Sequence, residues 1–181
     1  MRILLAICLL SLSLIAQAAS RSPEKVLQDF YSWVLSTRKS TLPTPAELKK
    51  LTGIISPHLK NLIIEASQAE KRCFESVKAS TDKPYYFESD VFIGNWGRAN
   101  EVAYRNVEPK DGRATVDVTH FSVNPKIAKG AVNRVEMWII RVKLNFNEGA
   151  WQIDDLEYED GETLTSVISD YLANSKNFCR S

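Results

Sequence analysis

The residues that could do chemistry are few. There are two histidines, His58 and His120, three cysteines, and a set of carboxylates in which Asp154 and Asp155 are adjacent. No H-E-x-x-H pair, Cys/His quartet or EF-hand loop occurs, so neither a metal site nor a cofactor is expected. The glycine patterns that cradle phosphates or dinucleotides are absent, and no G-x-S-x-G marks a serine nucleophile. Asp154 and Asp155, with Asp117 on a neighbouring strand, could gather acids around a pocket and supply a general base. Neighbours on a strand point to opposite faces, however, so the two should not form a dyad. Lys126 and Lys129 flank a loop with Arg134 beyond, and three bases in nine residues read as a solvated edge, not as a phosphate site.

The elements that must position these residues begin after an export signal. Arg2 precedes a charge-free apolar run from Ile3 to Ile15, and Ala16-Gln17-Ala18 fits a small-x-small cleavage site after Ala18. The run is short of the roughly 20 residues that span a bilayer. Residues 1–18 are therefore expected to be a cleaved signal peptide and 19–181 one domain, placed in the bacterial periplasm or secreted. No later stretch is apolar enough to cross a membrane. The chain has 181 residues, 44% of them hydrophobic and 25% charged, which suits a globular domain with a real core. Arg2 is the one charge among the first twenty residues, so the remainder balances at 22 basic against 22 acidic. A balanced domain carries no overall footprint for nucleic acid or an anionic membrane. Cleavage leaves Cys73 and Cys179, which in an oxidising compartment pair as one disulfide. They lack the C-x-x-C spacing of a redox-active pair.

Ser22-Pro23-Glu24 starts a first helix whose stripe is Val26, Leu27, Phe30, Tyr31 and Val34, widened by Trp33. Thr44-Pro45-Ala46-Glu47 is a capping box for a short helix that Gly53 closes. Ser56-Pro57 opens a long helix with Leu59, Leu62, Ile63, Ala66, Ala69, Cys73 and Val77 on one face. Ala99 to Val107 reads as a strand, Asp111-Gly112 as a turn, and Arg113 to Val123 as a half-buried strand. Val132 to Phe146 is the strongest strand. Trp138, Ile140, Val142, Leu144 and Phe146 share one side and Val135, Met137 and Ile139 the other, so its centre is expected to be buried on both faces. After Asn147-Glu148-Gly149 the return strand changes phase between Ile153 and Leu156, which calls for a β-bulge at Asp154-Asp155. Leu164, Val167, Ile168, Tyr171 and Leu172 form the stripe of a last helix. The fold class is α+β: N-terminal helices packed on a curved, cone-like antiparallel sheet, plus a C-terminal helix.

Between the helices and the sheet, Ser80 to Trp96 is a long connection with a cluster of aromatics. Long connections in compact domains are often functional. Tyr85, Tyr86, Phe87, Asp90, Phe92 and Trp96 are the candidate binding residues there, joined by Lys126 and Lys129 from the loop at 124–131. The alternative is an aromatic plug that covers one end of the sheet.

Phe30-Tyr31-x-Trp33, the stretch from Tyr85 to Trp96, and Trp151-Gln152-Ile153-Asp154-Asp155-Leu156-x-Tyr158 followed by Gly161 and Leu164 resemble the nuclear-transport-factor-2-like superfamily. Within it, the chain is similar to a bacterial domain family of unknown function found in exported proteins. The resemblance covers nearly all of the chain after residue 18, mostly through core and turn residues. The C-terminal helix departs from the superfamily's minimal cone, and the superfamily's His–Asp and Tyr–Asp catalytic sites have no matching positions here. The resemblance implies a binding or immunity role, such as neutralising a toxin delivered into the periplasm. A non-catalytic periplasmic protein that grips a protein partner, a toxin or an envelope component, is the first expectation. A binder of a small apolar ligand in the cone's cavity is the second, and a cavity enzyme with an Asp base the third.

Overall fold

The computed structural model describes residues 21–37, 42–78, 87, 90–94, 99–105 and 107–179. The expected signal peptide, Tyr85, Tyr86 and Trp96 lie outside the described residues.

Three helical segments come first. α1 (Pro23–Thr37) starts where Ser22 Oγ accepts from the Lys25 N–H, and it buries the expected stripe from Val26 to Val34. The short α2 (Pro45–Leu48) is closed by the Thr44–Glu47 capping box and runs into a 3-10 turn, Lys49–Leu51. α3 (Pro57–Ser76) is capped by Ser56, whose Oγ accepts from the Leu59 N–H at 3.1 Å. Each start was readable because caps act within four residues of the groups they satisfy.

The sheet is antiparallel, in the order β1 (Glu101–Tyr104), β2 (Arg113–Val123), β3 (Val135–Asn147) and β4 (Ala150–Glu157). Both tight turns use left-handed backbone, at Asp111 (φ 51) and Gly112 (φ 71) and at Glu148 (φ 50) and Gly149 (φ 82). That is the geometry whose twist matches a two-residue hairpin. Lys143 pairs with Asp155 and Leu144 with Ile153, which leaves Asp154 without a partner. This is the expected β-bulge. It returns Ile153 and Leu156 to the same face, and both are fully buried. The linker before α3 then covers the outer edge of β4: the Ser56 N–H donates to Ile153 O and the Ile153 N–H to Ile54 O, both at 2.8 Å.

α4 (Leu164–Phe178) packs beside α3 and against β4. The disulfide between Cys73 and Cys179 joins the C-terminal ends of the two helices, with Cα atoms 4.7 Å apart. The helices and one face of the sheet share a core cluster of Leu27, Phe30, Leu59, Ile63, Val118, Ile140, Leu156, Ile168 and their neighbours. The protein is thus an α+β fold with a C-terminal helix.

One expectation is corrected. β3 starts at Val135, after a 3-10 turn at Val132–Arg134, and only one of its faces is buried. Val135, Met137 and Ile139 are exposed, because the helices pack on the Trp138–Ile140–Val142 side.

Candidate functional site

The site is built at the end of the sheet where β2 leaves and β3 enters. His120 on β2 stands opposite Trp138 on β3, and their rings stack with centroids 5.6 Å apart. Tyr31 of α1 meets the His120 ring edge-on at 5.1 Å, and Phe30 and Phe92 continue the cluster to Trp33. The turn 91–94 closes over it, with the Trp138 Nε1–H donating to Ile93 O at 2.6 Å and the Tyr158 hydroxyl to Val91 O at 2.7 Å. Gly94 has φ 64, and a Cβ there would lie 2.6 Å from the Tyr158 ring, so only glycine lets the turn seat this closely.

Among the described residues, three polar atoms of this cluster are buried without a hydrogen-bond partner: Tyr31 Oη, Trp33 Nε1 and His120 Nε2. Tyr31 is 1% exposed and His120 0%. Leaving such an atom unpaired costs about 1–3 kcal/mol, a cost that an ordered water or a ligand would offset. His120 Nδ1 lies 3.1 Å from Val118 O. A carbonyl can only accept, so Nδ1 carries the proton and Nε2 presents a bare lone pair. Burial pushes the His120 pKa down to about 4, which keeps the ring neutral. Burial also raises the Tyr31 hydroxyl far above its ordinary value, with Tyr158 and Asp90 adding to the shift. Asp90 is pushed up to about 6 by burial, against the lowering effect of the Phe92 and Ile93 N–H groups. The cluster therefore offers one fixed acceptor (His120) and two donors (Tyr31 and Trp33) among aromatic faces.

The residues expected from sequence divide. Phe87 and Phe92 are core residues, not surface anchors: Phe87 packs on Tyr171 at 4.5 Å and Phe92 on Phe30 at 5.2 Å. For these two the aromatic connection acts as a plug, because turning them outward would expose large apolar rings. The Phe87 N–H is also held by the buried Glu70 carboxylate at 3.2 Å. Asp90 lies at the site. Lys126 and Lys129 are exposed on the loop beyond β2. Asp154 and Asp155 are engaged separately: Asp154 accepts from Asn145 Nδ2, and Asp155 accepts from the Thr165 N–H and hydroxyl. Asp117 pairs with Arg141 on the outer face, so the three acids do not gather. Among the described residues no group of three His, Cys, Asp or Glu could hold a metal, and no helix is long and apolar enough to cross a membrane.

Tyr31, Trp33 and His120 were missed as site residues. For His120 a signal was present: Ala114, Val116 and Val118 alternate inward, and position 120 continues their face.

Two depressions on the surface are lined by described residues. One, of about 580 Å³, lies against Tyr104, Arg105, Thr115, Asp117 and Ile139, and the other, of about 330 Å³, lies by the β3–β4 hairpin. Neither reaches the aromatic cluster.

No protein-family model and no curated protein matches the chain. Among solved structures, a phospholipid-binding protein from Ralstonia solanacearum, determined in complex with a phospholipid, is similar over 84% of this chain and 87% of that one. The identity is 14% and the TM-score 0.39.

Proposed function

We propose that this is an exported binding protein that holds a small, largely apolar ligand bearing a hydroxyl group in the aromatic cluster between α1, β2 and β3. The observation that carries this reading is the unpartnered trio of Tyr31 Oη, Trp33 Nε1 and His120 Nε2. A ligand hydroxyl can donate to the bare His120 Nε2 and accept from Tyr31 or Trp33, while the ring faces take its apolar part. Export to the periplasm is part of this proposal, supported by the charge-free run and small-x-small pattern at residues 1–18. Membership of the nuclear-transport-factor-2-like superfamily belongs to the same proposal. It is supported by helices packed on one face of a bulged antiparallel sheet and by the Trp151-to-Tyr158 strand. A toxin or other protein partner takes second place, because Phe87 and Phe92 are not available as anchors.

Native mass spectrometry of protein purified from its producing cells tests the reading. The expected result is a co-purifying small molecule released on denaturation. Tyr31→Phe removes only the hydroxyl oxygen. It should weaken ligand retention about tenfold, the worth of one hydrogen bond at about 1.4 kcal/mol. The ligand-free variant should be as stable as the parent or more so, since an unpaired buried group is lost. An empty protein, or a ligand-free Tyr31→Phe variant that is clearly less stable, would sink the idea and assign the trio to structural water.

A further inference from the structure

The tip of the sheet carries a second surface. Between Asn124 and Val135 the chain has three cations, Lys126, Lys129 and Arg134, and no acid. None of the three has an ion-pair partner among the described residues. Val132, between Lys129 and Arg134, is 100% exposed, and Val135, Met137 (71% exposed) and Ile139, which follow along β3, are also left in solvent. The bordering acids include Glu101, exposed and in the same cross-strand row as Met137 through Phe121, Glu136, which is exposed, and Glu159, whose Oε1 accepts from the Ile139 N–H at 3.1 Å. The tip is also pre-formed. The Asn124 N–H donates to Arg134 O at 2.9 Å, the Lys126 N–H to Asn124 Oδ1 at 3.0 Å and the Ala131 N–H to Ala128 O at 3.2 Å.

We infer that this tip docks on the surface of an anionic phospholipid bilayer. The whole chain is close to neutral, so the attraction comes from this local charge. Cations among exposed aliphatic side chains suit a surface that presents phosphates above hydrocarbon. A protein partner is the weaker match, since interface anchors fill recesses. Of the two depressions described above, the larger is lined by one residue of this surface, Ile139, and the smaller by none. The tip also lies at the same end of the sheet as the aromatic cluster, with His120 and Trp138 three residue pairs in from Val123 and Val135. The inference stands without the proposed ligand: an empty cluster would leave it intact.

Vesicle flotation of protein expressed from the full sequence tests it, with vesicles of phosphatidylglycerol mixed into phosphatidylcholine or of phosphatidylcholine alone. The protein should float with the anionic vesicles at low salt, stay behind with the neutral ones, and be released as salt screens the charges. Lys126→Glu together with Lys129→Glu should weaken binding at least about 30-fold, each lysine near an anionic surface being worth about 1 kcal/mol. Val132→Ala with Met137→Ala should weaken it while leaving the salt response in place. These side chains are exposed, so melting of both variants should match the parent. Absence of flotation, equal binding to neutral vesicles, or lysine variants that bind as the parent does would overturn the inference. Capture by an acidic polypeptide without vesicle binding would do the same, in favour of a protein partner.

Discussion

His120 and Asp90 border the same aromatic cluster, and burial moves their pKa values in directions that cancel in stability. His120 is lowered from 6.5 to about 4. Its folded state refuses a proton that the unfolded chain takes, so its contribution is full above pH 6.5 and is lost as pH falls toward 4. Asp90 is raised from 3.8 to about 6. Its folded state keeps a proton that the unfolded chain releases, so its contribution is present at low pH and is lost as pH rises through 4 to 6. In that window one group gains what the other loses. Each shift sets a ceiling of roughly 3 kcal/mol, from about 1.4 kcal/mol per pKa unit. Urea unfolding at several pH values should separate them. Asp90→Asn should gain on the parent as pH rises from 4 to 6, because only the parent loses the Asp90 contribution there, while both keep the rising His120 contribution. His120→Gln should fall behind the parent across the same window. Variant profiles parallel to the parent's would show that neither group titrates as its surroundings imply.

At the scale of elements, the bulge in β4 gives two adjacent acids different work. Asp154 is the extra residue and, among the described residues, its carboxylate accepts from Asn145 Nδ2 at 2.9 Å. Asp155 reaches the first turn of α4, accepting from the Thr165 N–H at 3.1 Å and the Thr165 hydroxyl at 2.7 Å, where its charge also faces the positive end of the helix dipole. Asp155→Ala should therefore cost about 1–3 kcal/mol by chemical denaturation, as hydrogen bonds to a charged group do. Asp154→Ala should cost about 1 kcal/mol or less. Equal losses would contradict the assignment. The bulge was legible from sequence because a strand's period is two and a phase slip between Ile153 and Leu156 shows in the string of residues. Helix starts at Ser22, Thr44 and Ser56 were legible for the same local reason. The two faces of β3 were not. Val135, Met137 and Ile139 alternate as core residues do, and only the placement of the helices decides which apolar face is covered. The site was hidden for a related reason. Tyr31 and Trp33 read as members of a helical stripe, and His120 as one polar residue in a strand. Their meeting depends on how α1 lies on the sheet, which no local pattern states.

For the whole molecule, the Cys73–Cys179 disulfide is the longest covalent constraint among the described residues. It closes a loop of 106 residues that contains the whole sheet. Loop closure of that length restricts the unfolded chain by about 4–5 kcal/mol, and measured values for native disulfides run at about 2–5 kcal/mol. Within the fold, Cys73 is fully buried and the Tyr171 hydroxyl lies 3.8 Å from its sulfur, so α3 and α4 already pack where the bond joins them. The bond thus acts mainly on the unfolded state. Replacing both cysteines by alanine should lower the melting temperature by roughly 5–15 °C, at about 2–4 °C per kcal/mol for a chain of this size. The denaturant dependence of unfolding should become steeper, because an uncrosslinked chain exposes more surface. A reductant should shift the parent toward the variant and leave the variant unmoved. A loss of stability with an unchanged denaturant slope would place the effect in the folded state instead, in the contact between Cys73, Tyr171 and the end of α4.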